Sequence, residues 1–210
     1  RGDGSVGDDI TANLRTVRSV PLKIEARDVP KVIEVRGEVF ISREGFRKLN
    51  AERAAAGEEL YANARNTAAG SLKLLDPRLV ARRPLEIVIY GTGVVEMASG
   101  RPPATHSQTV AWLRELGFRV AERTWICRSA DELIAAIEEL DKARRDFAYE
   151  TDGAVIKLND LEQRRRVGFT ARAPRWAMAY KYAAEQAQTR LKAITIQVGR
   201  TGALTPVAEL

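Results

Sequence analysis

The sequence predicts an α+β fold built mainly from antiparallel sheets. Three observations carry this. Period-two runs of apolar residues, such as Ile33–Ile41 and Leu85–Gly91, alternate irregularly with helix-period stretches and lack a steady βαβ rhythm. No Gly-x-Gly-x-x-Gly turn opens a dinucleotide-binding unit. Of the 210 residues, 45% are hydrophobic, enough for a substantial core in one domain with or without an appendage.

Arg1 to Pro30 mixes glycines, aspartates and polar stretches and reads as loops with short strands. From Ile33 to Ile41, Ile33, Val35, Gly37, Val39 and Ile41 share one face of a strand, and Glu34, Arg36, Glu38 and Phe40 share the other. Ser42 can cap a helix that turns Phe46 and Leu49 inward and stops near Gly57. A second helix is expected over Asn66–Leu75, ending at Asp76-Pro77, then a strand over Leu85–Gly91 and a loop to His106. Ser107–Leu116 reads as a short helix closed by Gly117, and Phe118–Ile126 as a strand. Ser129 and Glu132 have capping-box spacing, ahead of a core stripe of Leu133, Ile134, Ile137 and Leu140. Strands follow over Asp152–Leu158, Trp176–Tyr182 and Ile194–Val198, with a short basic helix around Arg164, Arg165 and Arg166. Gly199-Arg200-Thr201-Gly202 is a turn between two strands, as in the first hairpin of a small barrel. A two-stranded ribbon cannot bury its own face, so the chain is read as cut at both ends.

A net charge of +6 favours a polyanionic partner, with a basic proteome as the plainer explanation. One cysteine, Cys127, excludes an internal disulfide, and with the single His106 it cannot make a zinc cluster. A reducing cytoplasmic setting follows. No apolar run reaches the roughly 20 residues of a membrane helix, and no signal peptide opens the chain.

Four places put polar groups where plain scaffold would not. Gly37 leaves room beside Glu38, whose carboxylate suits a ribose hydroxyl pair; a cross-strand ion pair is the plainer reading. Asp152 and Lys157 end one β-branched strand on opposite faces, and share a cleft only if Gly153 bulges or Asp152 sits at the strand's mouth. Ala177, Ala179 and Lys181 line one strand face, small residues around one cation, with Trp176, Met178, Tyr180 and Tyr182 assigned to the core; an exposed alanine strand competes. Arg65 opens a helix whose Ala68, Ala69 and Gly70 allow close approach, a ready phosphate site or a plain capped helix. Cys127 is expected to be packed, His106 exposed, the Arg164–Arg166 run solvated and Arg1-Gly2-Asp3 a chance tripeptide.

Six collinear segments resemble the NAD-dependent DNA ligases of bacteria: RGDGSVGDDITANLRTVRSVPL (1–22), EVRGEVF (34–40), NARNTAAGSLKLLDPR (63–78), ETDGAVIK (150–157), GFTARAPRWAMAYKY (168–182) and QVGRTGALTPVAEL (197–210). The resemblance implies a covalent nucleotidyltransferase, ATP-grasp-like domain over residues 1–188 and the first hairpin of an incomplete OB-fold barrel over 189–210. It implies sealing of nicked duplex DNA with NAD and Mg2+ or Mn2+. A lysine takes AMP from NAD, the AMP passes to the 5′-phosphate, and the 3′-hydroxyl displaces it. Position by position, Arg1, Glu38, Lys157 and Lys181 resemble the NAD-binding residues, with Lys181 neutralising the α-phosphate. Asp152 resembles the acid that serves the metal and the chemistry. Arg65, Lys73 and Arg144 resemble residues that grip the nick phosphates, although Lys73 stands where the family has an arginine and lacks its planar fork.

The family's nucleophile lies in a Lys-x-Asp-Gly motif upstream of the matching segment. Here Glu150-Thr151-Asp152-Gly153 has glutamate at the lysine position, so the chain alone is expected not to form lysyl-AMP. The family's zinc belongs to a C-terminal part beyond these residues. A monomer is expected. An ATP-dependent nucleotidyltransferase and a non-catalytic nucleic-acid-binding module are the alternatives.

Overall fold

The computed structural model describes residues 6–26, 28–171, 173–182, 188–199 and 201–210. Its frame is an antiparallel pair, β1 (Val32–Ile41) and β2 (Leu85–Glu96), with register shifts between Ile33 and Val35 and between Arg36 and Gly37. Exposure alternates along β1 as the period-two pattern predicts. A Cβ on Gly37 would lie 2.6 Å from both the Ile89 side chain and the Val88 carbonyl. The room at Gly37 is therefore taken by β2 and is not available to a ligand, which corrects the sequence expectation.

Helices cover the apolar face. α1 (Thr11–Leu14) is a single turn where loops and short strands were expected; the Asp9 carboxylate accepts from the Thr11 N–H and starts it. α2 (Arg43–Ala55) begins at Ser42, whose hydroxyl accepts from Gly45, and Gly57 closes its end with φ of +68°. α3 (Ala64–Ser71) is capped by Asn63 and stops earlier than its sequence suggests. The buried Asn13 amide donates to the carbonyls of Leu72 at 2.8 Å and Leu74 at 2.7 Å, drawing the chain out of the helix. Asp76 and Pro77 then start α4 (Pro77–Ala81). Val17, Ile41, Leu49, Ala68, Val80 and Leu85 form one buried cluster. Ile87, Ile89, Leu113 and Val120 form a second, beneath α5 (His106–Glu115), and Leu14, Val20 and Val39 pack against both.

The strand expected over Phe118–Ile126 is absent. After Gly117 turns the chain with φ of +87°, only one parallel bridge forms, Ile89 to Val120, with the Ile89 N–H donating to the Arg119 carbonyl. Val120 enters the core and the chain leaves the sheet, because one bridge cannot propagate a ladder. In α6 (Ala130–Ala143) Ser129 accepts from the Glu132 N–H, but the Glu132 carboxylate accepts from Arg128 instead of Ser129, so the capping box is half made. The inward stripe is Leu133, Ala136, Ile137 and Leu140; Ile134, a quarter-turn away, is 55% exposed.

A second antiparallel pair joins β3 (Gly153–Lys157) to β4 (Ala177–Lys181) through α7 (Leu161–Val167). Several contacts tie it to the frame. The Arg43 N–H donates to the Ala148 carbonyl, and the Phe40 ring lies 4.8 Å from that of Tyr149. The start of α5 is bound to the β3–α7 connection by His106 N–H to the Asn159 carbonyl and Ser107 N–H to the Asn159 side chain. A third pair, β5 (Ala193–Val198) with β6 (Leu204–Glu209), turns at Gly202. Its face of Ile194, Ile196, Val198 and Leu204 stays exposed.

Candidate nucleotide and phosphate site

Residues directly opposite one another in an antiparallel ladder share a face. Gly153 faces Lys181, Val155 faces Ala179 and Lys157 faces Ala177. Lys157 and Lys181 therefore lie on the same face of the β3–β4 ribbon, about 13 Å apart along the strand, with only Val155 and two alanines between them. The ladder has no bulge, and Asp152 stands just outside the mouth of β3, opposite Tyr182. A Cβ on Gly153 would lie 1.9 Å from the Tyr180 carbonyl, so glycine is what lets β4 close on the strand. The opposite face is not core: Met178 is 64% and Tyr180 43% exposed, and Ala154 and Ile156 are only half-buried.

At the Lys157 end the ribbon, α6 and the start of α5 enclose an open cleft of about 1310 Å³. The Lys157 ammonium donates to the Tyr90 carbonyl at 3.2 Å and lies 4.9 Å from the centre of the Tyr90 ring. Burial, then the nearby Arg164 cation, pulls its pKa down to about 8. His106 is half-buried, not exposed as its position beside a proline-rich loop suggested. Burial foremost, with Lys157 and Arg164 behind it, pushes its pKa down to about 4. Arg164 is not solvated either: Nε donates to the Leu158 carbonyl and the guanidinium lies 4.4 Å from the centre of the Trp176 ring. Arg165, paired with Glu162, and Arg166 are the exposed members of that run. Cys127 is half-buried in the cleft wall.

At the other end Arg65 Nη1 meets Asp152 Oδ2 at 3.2 Å, both side chains largely in water. The Tyr182 N–H donates to the Asp152 carbonyl, and the Arg144 guanidinium lies 4.4 Å from the centre of the Tyr182 ring while pairing with Asp141 at 2.7 Å. Asp152, Arg65 and Arg144 thus gather at Tyr182, the residue that follows Lys181. Glu38 is exposed on the outer face of β1 opposite Val88, so no cation faces it across the strands. Lys73 lies beyond the other end of α3 and pairs with Asp8 at 2.6 Å, holding that carboxyl below its ordinary range. Arg1 falls outside the described residues.

Sequence reasoning missed Tyr90, His106 and Arg164. A strand tyrosine and a basic helix carry no periodic signal of their own, and only the meeting of β2, α5 and α7 gives them a role. Among the described residues no three of His, Cys, Asp and Glu gather as a metal cluster, and no helix is long and apolar enough to cross a membrane.

Known proteins resemble this chain along its whole length. Over its whole length the chain is 54% identical to DNA ligase 1 of Opitutus terrae, of which it covers 31%, and 48% identical to the DNA ligase of Methylacidiphilum infernorum, of which it covers 30%. It thus spans under a third of the length of these relatives. Residues 1–185 match the NAD-dependent DNA ligase adenylation domain, and the chain belongs to that family.

Proposed function

We propose that the chain handles the adenylate and the nick phosphates in an NAD-dependent ligase that seals nicked duplex DNA. The observation that carries this is the shared face of the β3–β4 ribbon, with a lysine at each end and small residues between them. A flat strip of that kind admits a phosphorylated nucleoside and meets its charge with fixed cations. Lys181, flanked by Ala177 and Ala179, neutralises the α-phosphate. Lys157 and the 44%-exposed Tyr90 ring receive the base, Glu38 and Arg1 complete the AMP side, and Arg65, Arg144 and Lys73 hold DNA phosphates.

Asp152 is a single carboxylate at an open strand mouth. That donor set fits Mg2+ or Mn2+ carried in largely by substrate phosphates and water, and does not fit a closed protein cage. The metal would supply charge neutralisation at the phosphates; Asp152 would orient it. We further assign residues 1–188 to an ATP-grasp-like nucleotidyltransferase domain and 189–210 to the first hairpin of an OB fold. The apolar face of β5–β6 supports the latter. The protein is read as a cytoplasmic monomer.

A chimera tests this: residues 1–210 replace the matching segment of the Opitutus terrae ligase. It should seal nicked duplex with NAD and not with ATP. Lys181→Ala should then slow enzyme-adenylate formation by on the order of 10²–10³. Lys181→Arg should also be poor, because a planar fork does not reproduce the compact point charge of an ammonium. Normal adenylation by the alanine variant removes Lys181 from the site, and use of ATP or failure of the unmodified chimera to bind nucleotide overturns the reading.

A further inference from the structure

Arg164 stands behind the cleft, not in it: its neighbours Leu158, Asp160 and Gln163 line the opening and it does not. Its Nε donates to the carbonyl of Leu158, the residue that follows Lys157. Its guanidinium covers the ring of Trp176, the residue that precedes Ala177, and Ala177 is the residue opposite Lys157. The Leu158 N–H also donates to the Trp176 carbonyl at 2.9 Å. One side chain therefore grips both strands of the ribbon at the rung that presents Lys157. Its Nη2 is buried with no hydrogen-bond partner among the described residues. An arginine that only solubilised α7 would reach into water, as Arg166 does.

We infer that Arg164 is a positioning residue for Lys157: it fixes the end of β3 so that the Lys157 ammonium rests against Tyr90, and it holds a second cation behind that ammonium. The functional meaning of this rests on the proposed nucleotide role of Lys157; the positioning itself does not. The groups that face Lys157 are the Tyr90 ring and carbonyl from β2, His106 from α5 and Arg164 from α7, while β4 offers only Ala177. His106, with its pKa near 4, is neutral at pH 7, which leaves Arg164 as the charge that acts on Lys157.

The test uses the 210-residue chain with 13C-labelled lysine, and Lys157→Arg identifies the Lys157 Cε resonance. In the unmodified chain that resonance should titrate near pH 8 and carry a ring-current shift from Tyr90. Arg164→Gln keeps an amide donor for the Leu158 carbonyl but removes the charge. Its Lys157 midpoint should rise by about one pH unit, a tenfold change in proton affinity, with the ring-current shift kept. Arg164→Ala should raise the midpoint and lose the ring-current shift as well. Arg164→Lys should restore the low midpoint. A Lys157 resonance unchanged in midpoint and in ring-current shift in both the glutamine and alanine variants overturns the inference, and the glutamine variant decides alone if the alanine variant does not fold. AMP separates the two claims. If the Arg164 variants move the Lys157 resonance but millimolar AMP does not, the positioning stands and the nucleotide role of Lys157 falls.

Discussion

The β1–β2 and β3–β4 pairs are the same secondary structure put to opposite uses. Both are antiparallel, and both contain a glycine, Gly37 or Gly153, where the partner's backbone leaves no space for a Cβ. The first pair is covered by helices and buries Ile41, Leu85 and Ile89; the second leaves Val155 and Met178 each 64% exposed. What separates them is the third layer, not the strands. A sheet under helices supplies stability, and the barer ribbon holds one half-buried cation, Lys157, and one exposed cation, Lys181. On the proposed reading, stability and chemistry are divided between two sheets, and substitutions can ask how cleanly.

The largest effect should come from the covered side. Leu113 is 0% exposed between α5 and β2, so Leu113→Ala should cost about 2–5 kcal/mol in urea unfolding through lost burial and the cavity left behind. Val155→Ala, on the ribbon, should cost well under about 1 kcal/mol, because its side chain already meets water. Equal costs would mean that the ribbon is covered after all and would end the comparison.

His106 sits at the joint between the regions and should make it acid-sensitive. Its folded pKa, about 4, lies below the ordinary 6.5, so the unfolded chain binds more protons between those values. Stability is then full above pH 6.5 and is lost as the pH drops toward 4. The start of α5 adds to this, since a helix N-terminus disfavours an imidazolium. Urea midpoints for the chain and for His106→Gln between pH 4 and 7 isolate the effect from the depressed carboxylates, which the two proteins share. Parallel pH profiles would mean that His106 stays solvated in solution.

The same division decides what could be read from the sequence. The covered side was legible because burial writes a period: β1, α2 and α5 fall where the alternation and the caps put them. The error there, a strand over 118–126, came from a pattern with no partner strand to complete it. The ribbon was legible differently. The strands and the clustering of small residues around Lys181 were visible, and the resemblance supplied roles, but the shared face of Lys157 and Lys181 depends on cross-strand register. The sequence of a single strand does not contain that register. Arg164 and His106 were misread for a related reason. An arginine run and a lone histidine look solvated until another element packs on them, and here Trp176 and Lys157 come from segments distant in sequence.

The smallest stability effect should accompany one of the sharpest functional ones. The Arg65–Asp152 pair is two-thirds or more exposed on both sides, so its attraction is screened and breaking it should leave the unfolding midpoint within measurement error. Yet Arg65 opens α3 at the ribbon's mouth, beside Asp152 and across Tyr182 from Arg144, where a phosphate would meet cations from two elements. In the chimeric ligase, Arg65→Ala should react with NAD normally and be slow to seal a nick once AMP is loaded. The missing contact is to a phosphate, so the defect should not depend on the bases flanking the nick. Its DNA affinity should also fall less steeply with salt, by about one unit of log–log slope. Arg166→Ala is the suitable control, an exposed arginine with no ring or carbonyl to hold among the described residues; Arg164 is not, because it braces the ribbon. Single-turnover sealing by pre-adenylated protein decides the matter. Equal rates for Arg65→Ala and the unmodified chimera would leave Arg65 as a residue beside a helix cap, and the ribbon's mouth would lose its claim on DNA.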